Sequence, residues 1–262
     1  MSAAPVLETD NLTLFFNSVA AFADVSFSVD EGEIFAVIGP NGAGKTSLFN
    51  VISRVYRPAR GTVRYLGGDL LRLRRSQIAG AGIARTFQNL GLFGNLSVLE
   101  NVLIGRHHLM RSGTLRGGLY LGFAQLEERS HRAAAMEALE FVGIAGVAHR
   151  PARILPYGMQ KRVELARALA MQPRLLLLDE PVAGMGTAER GEIVTLIRRM
   201  HERGYSIVLV EHDMGMVMQV AQRVLVLDFG KVIALGTPGE VQRDERVIKA
   251  YLGAPLEEEA AV

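Results

Sequence analysis

One stretch constrains the fold more than any other, residues 39–46 with the sequence Gly-Pro-Asn-Gly-Ala-Gly-Lys-Thr. It fits the pattern Gly-x-x-x-x-Gly-Lys-Ser/Thr and lies between a strand-like run, 34–38, and a helix-like run that begins at Ser47. In that context the glycines let successive backbone N–H groups turn inward onto phosphates. A glycine-rich turn that only closes a strand is the weaker alternative, because the flanking strand and helix are both present.

This loop predicts a site for ATP with Mg²⁺. GTP is disfavoured because the chain has no Asn-Lys-x-Asp guanine reader. Lys45 is expected to place its ammonium at the β- and γ-phosphates, and Thr46 to bind Mg²⁺ through its hydroxyl. The predicted nucleotide-binding residues of the loop are Gly39, Pro40, Asn41, Gly42, Ala43, Gly44, Lys45, Thr46 and Ser47.

Two adjacent acids follow a second apolar run. Residues 175–178 are leucines, and Asp179 and Glu180 come next. A buried strand that ends in two carboxylates indicates a nearby cation. Asp179 is therefore predicted to hold Mg²⁺, and Glu180 to polarise the attacking water as the catalytic base. The alternative, acids solvated in a loop, is disfavoured beside a phosphate loop.

A histidine follows the next strand-like run, 207–210. His212 is expected to lie beside Glu180 at the carboxyl edge of the sheet and to contact the γ-phosphate. The other histidines have no ligand spacing with acids or cysteines and are predicted to be surface residues: His107, His108, His131, His149 and His201.

The order of these runs predicts an α/β fold. Alternating apolar residues before residue 30 indicate antiparallel strands, and residues 94–150 have a helical pattern. We predict a single domain, 1–262, with a P-loop NTPase core of mainly parallel sheet from 1–87 and 161–262. We further predict an N-terminal antiparallel β subdomain and an inserted α-helical subdomain at 88–160.

Composition narrows the function classes. Lys and Arg number 29 against 27 Asp and Glu, a surplus too small to indicate a nucleic-acid partner. The absence of cysteine excludes disulfides and thiolate metal sites. No secretory start occurs, and no apolar run approaches the roughly 20 residues of a membrane span. Any role at a membrane is therefore expected to depend on a partner.

Together these motifs resemble the ATP-binding cassette (ABC) family of transporter ATPases. Residues 85–88, Arg-Thr-Phe-Gln, resemble its glutamine loop, and 155–160, Leu-Pro-Tyr-Gly-Met-Gln, stand in the place of its signature motif. Residues 211–213 resemble its histidine switch. The resemblance covers nearly the whole chain, and it is specific because other phosphate-loop classes share only the first two nucleotide motifs.

The resemblance implies further roles. Phe16 is expected to stack on adenine, Gln88 to sense Mg²⁺ and the attacking water, and Gly158 to contact nucleotide through its backbone. Two cassettes, alike or different, would close head to tail around two ATP molecules. The expected catalytic residues are Glu180, His212, Lys45 and Gln88, and the expected metal ligands are Thr46, Gln88 and Asp179.

The insertion after 101–105 and the ending Ala-Tyr-Leu-Gly at 250–253 resemble the cassette subunits of branched-chain amino acid importers. This implies a second cassette subunit and integral-membrane permease subunits, with the chain peripheral at the cytoplasmic face of the inner membrane. The same branch includes importers of urea, short amides and aromatic acids. Branched-chain amino acids or related small polar solutes are therefore the expected cargo class.

The signature segment departs from the family's Leu-Ser-Gly-Gly-Gln. Pro156, Tyr157 and Met159 replace the serine, the first glycine and the glutamine, and Gly186 stands where the family usually has Asp or Asn. The serine hydroxyl is lost, but the helix predicted to begin near Met159 still offers its N-terminus to phosphate. Hydrolysis is thus expected mainly at this chain's own phosphate loop.

Two other functions stay open. A soluble non-transport ABC ATPase acting on ribosomes or DNA usually has two cassettes in one chain or a long coiled-coil insertion, and neither occurs here. A regulatory cassette with weak hydrolysis is suggested only by the changed signature.

Two basic clusters are interpreted as solvated faces, with a permease loop or acidic lipid as the alternative contact. They are Arg72, Arg74 and Arg75, and then Arg106, His107, His108 and Arg111. Three methionines near helical spacing, Met214, Met216 and Met218, are predicted to fill core space.

Overall fold

A computed structural model describes residues 5–86, 90–110 and 121–252. The strands are β1 (Leu7–Phe16), β2 (Val19–Val29), β3 (Ile34–Ile38), β4 (Arg60–Tyr65), β5 (Gly68–Asp69), β6 (Ile83–Arg85), β7 (Leu175–Asp179), β8 (Ser206–Val210), β9 (Arg223–Asp228) and β10 (Lys231–Gly236). The helices are α1 (Lys45–Ile52), α2 (Val98–Gly105), α3 (Leu121–Phe141), α4 (Tyr157–Ala170), α5 (Thr187–Glu202), α6 (Met214–Val220), α7 (Pro238–Arg243) and α8 (Glu245–Leu252).

The described chain forms two compact units. The first contains residues up to 73 and from 206 onward, and the second contains residues 74–205. The subdomain bounds predicted from the sequence, 88–160 within 1–262, stay a prediction.

An antiparallel sheet with the order β2-β1-β4-β5 occupies part of the first unit. In its register Leu7 faces Val29 of β2 on one side and Tyr65 of β4 on the other. Apolar side chains of β1 such as Leu7, Leu12 and Leu14 are buried, as the alternating pattern requires of a sheet with one covered face. The prediction of antiparallel strands at the N-terminus is confirmed.

Parallel strands form the rest of the core of the first unit. β3 pairs in parallel with β8 on one side and with β9 on the other, and β10 adds to β9 in antiparallel orientation. All residues of β3 and β8 are buried, which matches the apolar runs 34–38 and 207–210. In the β3–β8 register Val37 faces Val210, so both strands end at the same edge. The residues that follow them therefore share that edge.

The second unit combines two parallel strands with four helices. β6 and β7 pair in parallel, with Ile83 opposite Leu175. α4 packs against both α2 and α3. The predicted helical stretch within 94–150 is confirmed by α2 and α3. None of the helices in the described ranges is both long enough and apolar enough to cross a membrane.

Three sequence expectations need correction. His131, predicted at the surface, is buried with 6% exposure. Arg106, assigned to a solvated cluster, is also buried, because its guanidinium lies between helices and donates to His131 Nδ1 and to the Ala170 carbonyl. α4 begins at Tyr157 rather than near Met159. The methionine prediction holds fully for Met216, whereas the other two methionines of α6 are only half-buried.

A buried asparagine organises the segment that leads into α2. Asn101 is fully buried, and its side-chain amide donates to the carbonyls of Phe93 and Ser97. Its carbonyl oxygen accepts from the Phe93 N–H at 2.8 Å. Asn101 thus supplies the acceptor for the Phe93 N–H, and it adds a second donor to two carbonyls that also accept from the N–H groups of Leu96 and of Asn101 itself.

We expect Asn101→Leu to lower the free energy of unfolding by about 1–3 kcal/mol, because leucine fills the space but removes the acceptor of the Phe93 N–H and one donor to each of the two carbonyls. The matched control is Arg153→Ala, which removes an exposed hydrogen bond to Asn95 from the same segment. The control should change stability by less than about 1 kcal/mol. Urea denaturation measures both, and equal effects would contradict the role of Asn101.

Candidate functional site

The backbone of the phosphate loop is held by close packing. A β-carbon on Gly39, whose φ is +151°, would overlap the Leu227 carbonyl oxygen. Gly44 precedes α1 with φ +99°, and α1 receives no side-chain cap. The N–H groups of the first turn of α1 therefore lack a side-chain acceptor, an arrangement that suits a bound anion.

Lys45 is the first residue of α1 and is buried, with 7% exposure. Its ammonium donates to the carbonyl oxygens of Gly39 at 2.6 Å and Pro40 at 2.9 Å. These contacts hold the ammonium at the loop, where a positive charge suits phosphate. Thr46, the next residue, is exposed, so its hydroxyl can reach a metal ion.

The segment after β8 lies at the same edge as this loop, because β3 and β8 are parallel neighbours. Glu211 is fully buried, and its carboxylate accepts from the N–H groups of His212 at 3.1 Å and Asp213 at 3.4 Å. Asp213 in turn caps α6 by accepting from Met216 N–H. These contacts fix the backbone around His212, whose side chain is 55% exposed.

Asp179 ends β7 in the second unit and is buried, with 2% exposure. Arg85 Nη2 donates to its Oδ2 at 2.8 Å, and Asp179 N–H donates to Thr86 Oγ1 at 3.1 Å. Arg85 and Thr86 were not among the predicted site residues. Their position within the predicted glutamine loop, 85–88, was the available signal, but their contact with Asp179 was not readable from the sequence.

Glu180 has an unusual backbone conformation. Its φ is +46°, in the left-handed region that residues other than glycine, asparagine and aspartate rarely adopt. The turn is closed by Ala183 N–H, which donates to the Glu180 carbonyl. Strain of this kind concentrates at functional sites and marks Glu180 for a specific orientation.

The signature segment forms the start of α4. Pro156 is the residue before the helix and gives it no side-chain hydrogen bond. Tyr157 donates its hydroxyl to the Ala183 carbonyl at 3.1 Å, which ties this segment to the turn after Glu180. Gly158 is buried against Glu189, whose carboxylate would lie 2.5 Å from a β-carbon at that position. A carboxylate thus lies over the first turn of α4.

Of the remaining predicted residues, Phe16 ends β1 with 45% exposure and packs edge-to-face on Tyr56, with ring centroids 5.2 Å apart. Tyr56 was not predicted, and it keeps one side of the Phe16 ring supported. Gln88 lies outside the described residues. The structure therefore describes the loop with His212 in the first unit and Asp179 with Glu180 in the second, each in its own surroundings.

The donor sets fit ATP and Mg²⁺. In the first unit the loop offers backbone N–H groups, a buried ammonium and an exposed hydroxyl. In the second, Asp179 offers a carboxylate that is already oriented. Mg²⁺ in nucleotide sites uses few protein ligands together with phosphate oxygens. No cluster of three or more His, Asp or Glu suited to a metal occurs in the described ranges.

Comparisons with known families agree with this chemistry. The family model described as "ABC transporter" matches residues 22–183. The model described as "Branched-chain amino acid ATP-binding cassette transporter" matches residues 231–256. The first match contains the phosphate loop, the signature segment and the Asp179–Glu180 pair, and the second contains β10 and the C-terminal helices.

Similar proteins cover the chain almost completely. The high-affinity branched-chain amino acid transport ATP-binding protein BraF of Pseudomonas aeruginosa is 37% identical over 250 residues, with 95% of this chain and 98% of BraF covered. The LivG protein of Salmonella typhimurium, with the same description, is 38% identical at the same coverage. The solved structure of MJ1267, an ATP-binding cassette of an ABC transporter in its ADP conformation, matches with a TM-score of 0.84 and 29% identity. That match covers 96% of this chain and 100% of MJ1267.

We expect Arg85→Ala to lower the free energy of unfolding by about 3–5 kcal/mol, because it leaves the Asp179 carboxylate buried without its cation. Arg174→Ala is the matched control: Arg174 is exposed and lies in the same unit. It should leave stability within about 0.5 kcal/mol of the wild type. Chemical denaturation of both variants tests the pair, and a small effect of Arg85→Ala would show that Asp179 does not depend on it.

Proposed function

Because the chain belongs to the ABC transporter family, we propose that it binds Mg-ATP, hydrolyses it and thereby powers an importer of small polar solutes. The observation that carries the proposal is the phosphate loop, with its buried Lys45 ammonium and an α1 N-terminus free of side-chain caps. The fold, the family models and the near-complete coverage of ATP-binding relatives support it.

Different residues of the chain have different roles in ATP binding and hydrolysis. Lys45 and the loop N–H groups bind the phosphates, and His212 contacts the γ-phosphate from the neighbouring strand end. Glu180, held in its strained turn, orients the attacking water and accepts its proton. Thr46, Asp179 and Gln88 would hold Mg²⁺, which when bound offsets charge on the phosphate oxygens. Adenine would stack on Phe16, on the ring face that Tyr56 leaves open.

The proposed partners follow from the family. A second cassette subunit, identical or different, would complete each nucleotide site head to tail, with Gly158 near the partner's ATP. Integral-membrane permease subunits would hold the pair at the cytoplasmic face of the inner membrane, with this chain as a peripheral subunit. Residues 88–160, the predicted helical insertion, are the proposed permease-facing part.

We propose branched-chain amino acids as the cargo class. The relatives BraF and LivG are described as branched-chain amino acid transport proteins, and the C-terminal family model has the same description. None of the proposed nucleotide-binding residues contacts cargo, so the permeases and a binding protein would select it. Uptake of labelled leucine by the reconstituted complex, compared with uptake of labelled urea and aromatic acids, tests this cargo class.

We expect Glu180→Gln to lower ATP turnover by about a hundredfold to ten-thousandfold, because glutamine keeps the size and the hydrogen bonds but cannot accept a proton. ATP binding should persist. Lys45→Ala is the contrasting variant and should weaken ATP binding as well as turnover.

Steady-state ATPase assays and equilibrium binding of a fluorescent ATP analogue separate these two effects in the assembled complex. If Glu180→Gln turns over at the wild-type rate, Glu180 is not the base and His212 becomes the better candidate. If Lys45→Ala binds and hydrolyses ATP normally, the proposed site is wrong.

In a cassette dimer, this chain's signature segment would complete the partner's nucleotide site. We propose that ATP is hydrolysed more slowly at that second site than at this chain's own phosphate loop. Pro156 supplies no hydroxyl, and the Glu189 carboxylate lies over Gly158. A lost hydrogen bond to charged phosphate is worth roughly 1.5–3 kcal/mol, or about tenfold to a hundredfold in rate. The carboxylate adds repulsion of phosphate in the same place.

We expect Pro156→Ser to raise turnover at that second site by about tenfold if the missing hydroxyl limits it. ATPase activity of the assembled complex measures the gain. The control combines Pro156→Ser with a glutamate-to-glutamine change of the catalytic base in the cassette that owns the second site, and this combination should remove the gain. An unchanged rate in the single variant would show that related subunits tolerate this signature.

A further inference from the structure

A cavity of about 90 Å³ lies in the second unit, between the end of α2, one face of α3, the end of α4 and the segment after α5. Its wall is partly apolar, with Ala138, Phe141 and Leu169, and partly polar, with Arg106, Glu137, Arg203 and Tyr205. None of these residues belongs to the motifs proposed to bind ATP.

Arg106 is the unusual member of this lining, because it is a buried cation without a carboxylate partner in the described part of the chain. Its Nε donates to His131 Nδ1 at 3.0 Å and its Nη1 to the Ala170 carbonyl at 2.7 Å, and both acceptors are uncharged. The remaining nitrogen, Nη2, makes no hydrogen bond to any described residue. Burial lowers the pKa of Arg106, because removing the guanidinium from water disfavours its charged form. An anion in the cavity would supply the missing counter-charge.

Three further polar groups reach the same cavity. The Arg203 guanidinium lies over the Phe141 ring, 4.4 Å from its centroid, and among the described residues it has no ion-pair partner. The Tyr205 hydroxyl also lacks a described hydrogen-bond partner, and burial raises its pKa, so it remains a donor at neutral pH. Glu137 is exposed at the mouth and is the carboxylate among the lining side chains.

We propose that this cavity binds a small oxyanion that carries a hydrogen-bond donor of its own, either hydrogen phosphate or a small α-amino acid. The oxygens would accept from Arg106 Nη2, Arg203 and Tyr205, and the ligand's own O–H or ammonium would donate to Glu137. A 150 Å³ cavity holds benzene, so about 90 Å³ suits a ligand of about five non-hydrogen atoms, such as phosphate or glycine.

Calorimetric titration of the full chain tests the proposal, with Lys45→Ala as background to weaken phosphate binding at the phosphate loop; the cavity variants described below assign the remaining signal to the cavity. The titrants are phosphate, glycine, sulfate and acetate. Saturable binding of phosphate or glycine in preference to sulfate and acetate is expected, since only the first two carry a donor for Glu137. The titrant that binds shows whether the oxyanion is a phosphate or the carboxylate of an amino acid. No saturable binding of either would overturn the proposal.

Two arginines provide a matched pair of variants. Arg199 also covers the Phe141 ring, at 4.6 Å, but does not line the cavity. Arg203→Gln should weaken binding by about tenfold, because it removes a charge-assisted hydrogen bond, whereas Arg199→Gln should leave binding unchanged. Equal losses of affinity in both variants would mean that any nearby positive charge supports binding, and this result would overturn the proposed site.

Two substitutions test the remaining contacts. Tyr205→Phe should weaken binding by about two- to tenfold through loss of a neutral donor. Glu137→Gln should strengthen sulfate binding more than phosphate binding, because it removes a negative charge that repels sulfate but accepts from phosphate. If Glu137→Gln changes both anions equally, Glu137 does not select for a ligand donor. ATP turnover is not the readout, so the outcome is independent of the proposed ATPase function.

Discussion

The parallel pairing of β3 with β8 and β9 is the constraint on which the first unit depends. Every residue of β3 and β8 is buried, so their backbone groups need hydrogen-bond partners within the protein, and the neighbouring parallel strands supply such partners. Parallel strands end at one edge, and the residues that follow β3 and β8 are therefore neighbours. This is how a loop that begins at Gly39 and a histidine at position 212 come to share one edge of the sheet.

Buried charges determine the local geometry around that framework. Lys45 is held by carbonyls of its own loop, Glu211 by the N–H groups that follow it, and Asp179 by an arginine from β6. A buried charge with fixed partners cannot reorient freely, so these contacts fix the position of each charged group. Arg106 differs, because its described partners are neutral and its charge is left uncompensated.

Much of the fold was predictable where residue periodicity and burial coincide. The five-residue strand β3 was predicted with its observed bounds, because an unbroken apolar run before a glycine turn allows little else. His131 was wrongly assigned to the surface although a signal existed. It precedes the buried residues Ala135, Ala138 and Leu139 at helical spacing, which places it on the inner face of α3. The capping pair Ser97 and Glu100 was likewise readable at the start of α2.

The sequence by itself determined the features that depend on neighbouring residues: the phosphate loop, the strands that lead into it and the acids that follow β7. Tertiary structure alone decided which distant groups meet. Arg85 and Asp179 are 94 residues apart, and Glu189 reaches Gly158 from another helix. The local sequence indicates which secondary structure a segment favours, since propensity and periodicity act over a few residues. The partner of a buried side chain depends instead on how helices and strands pack, and that is set by the whole chain.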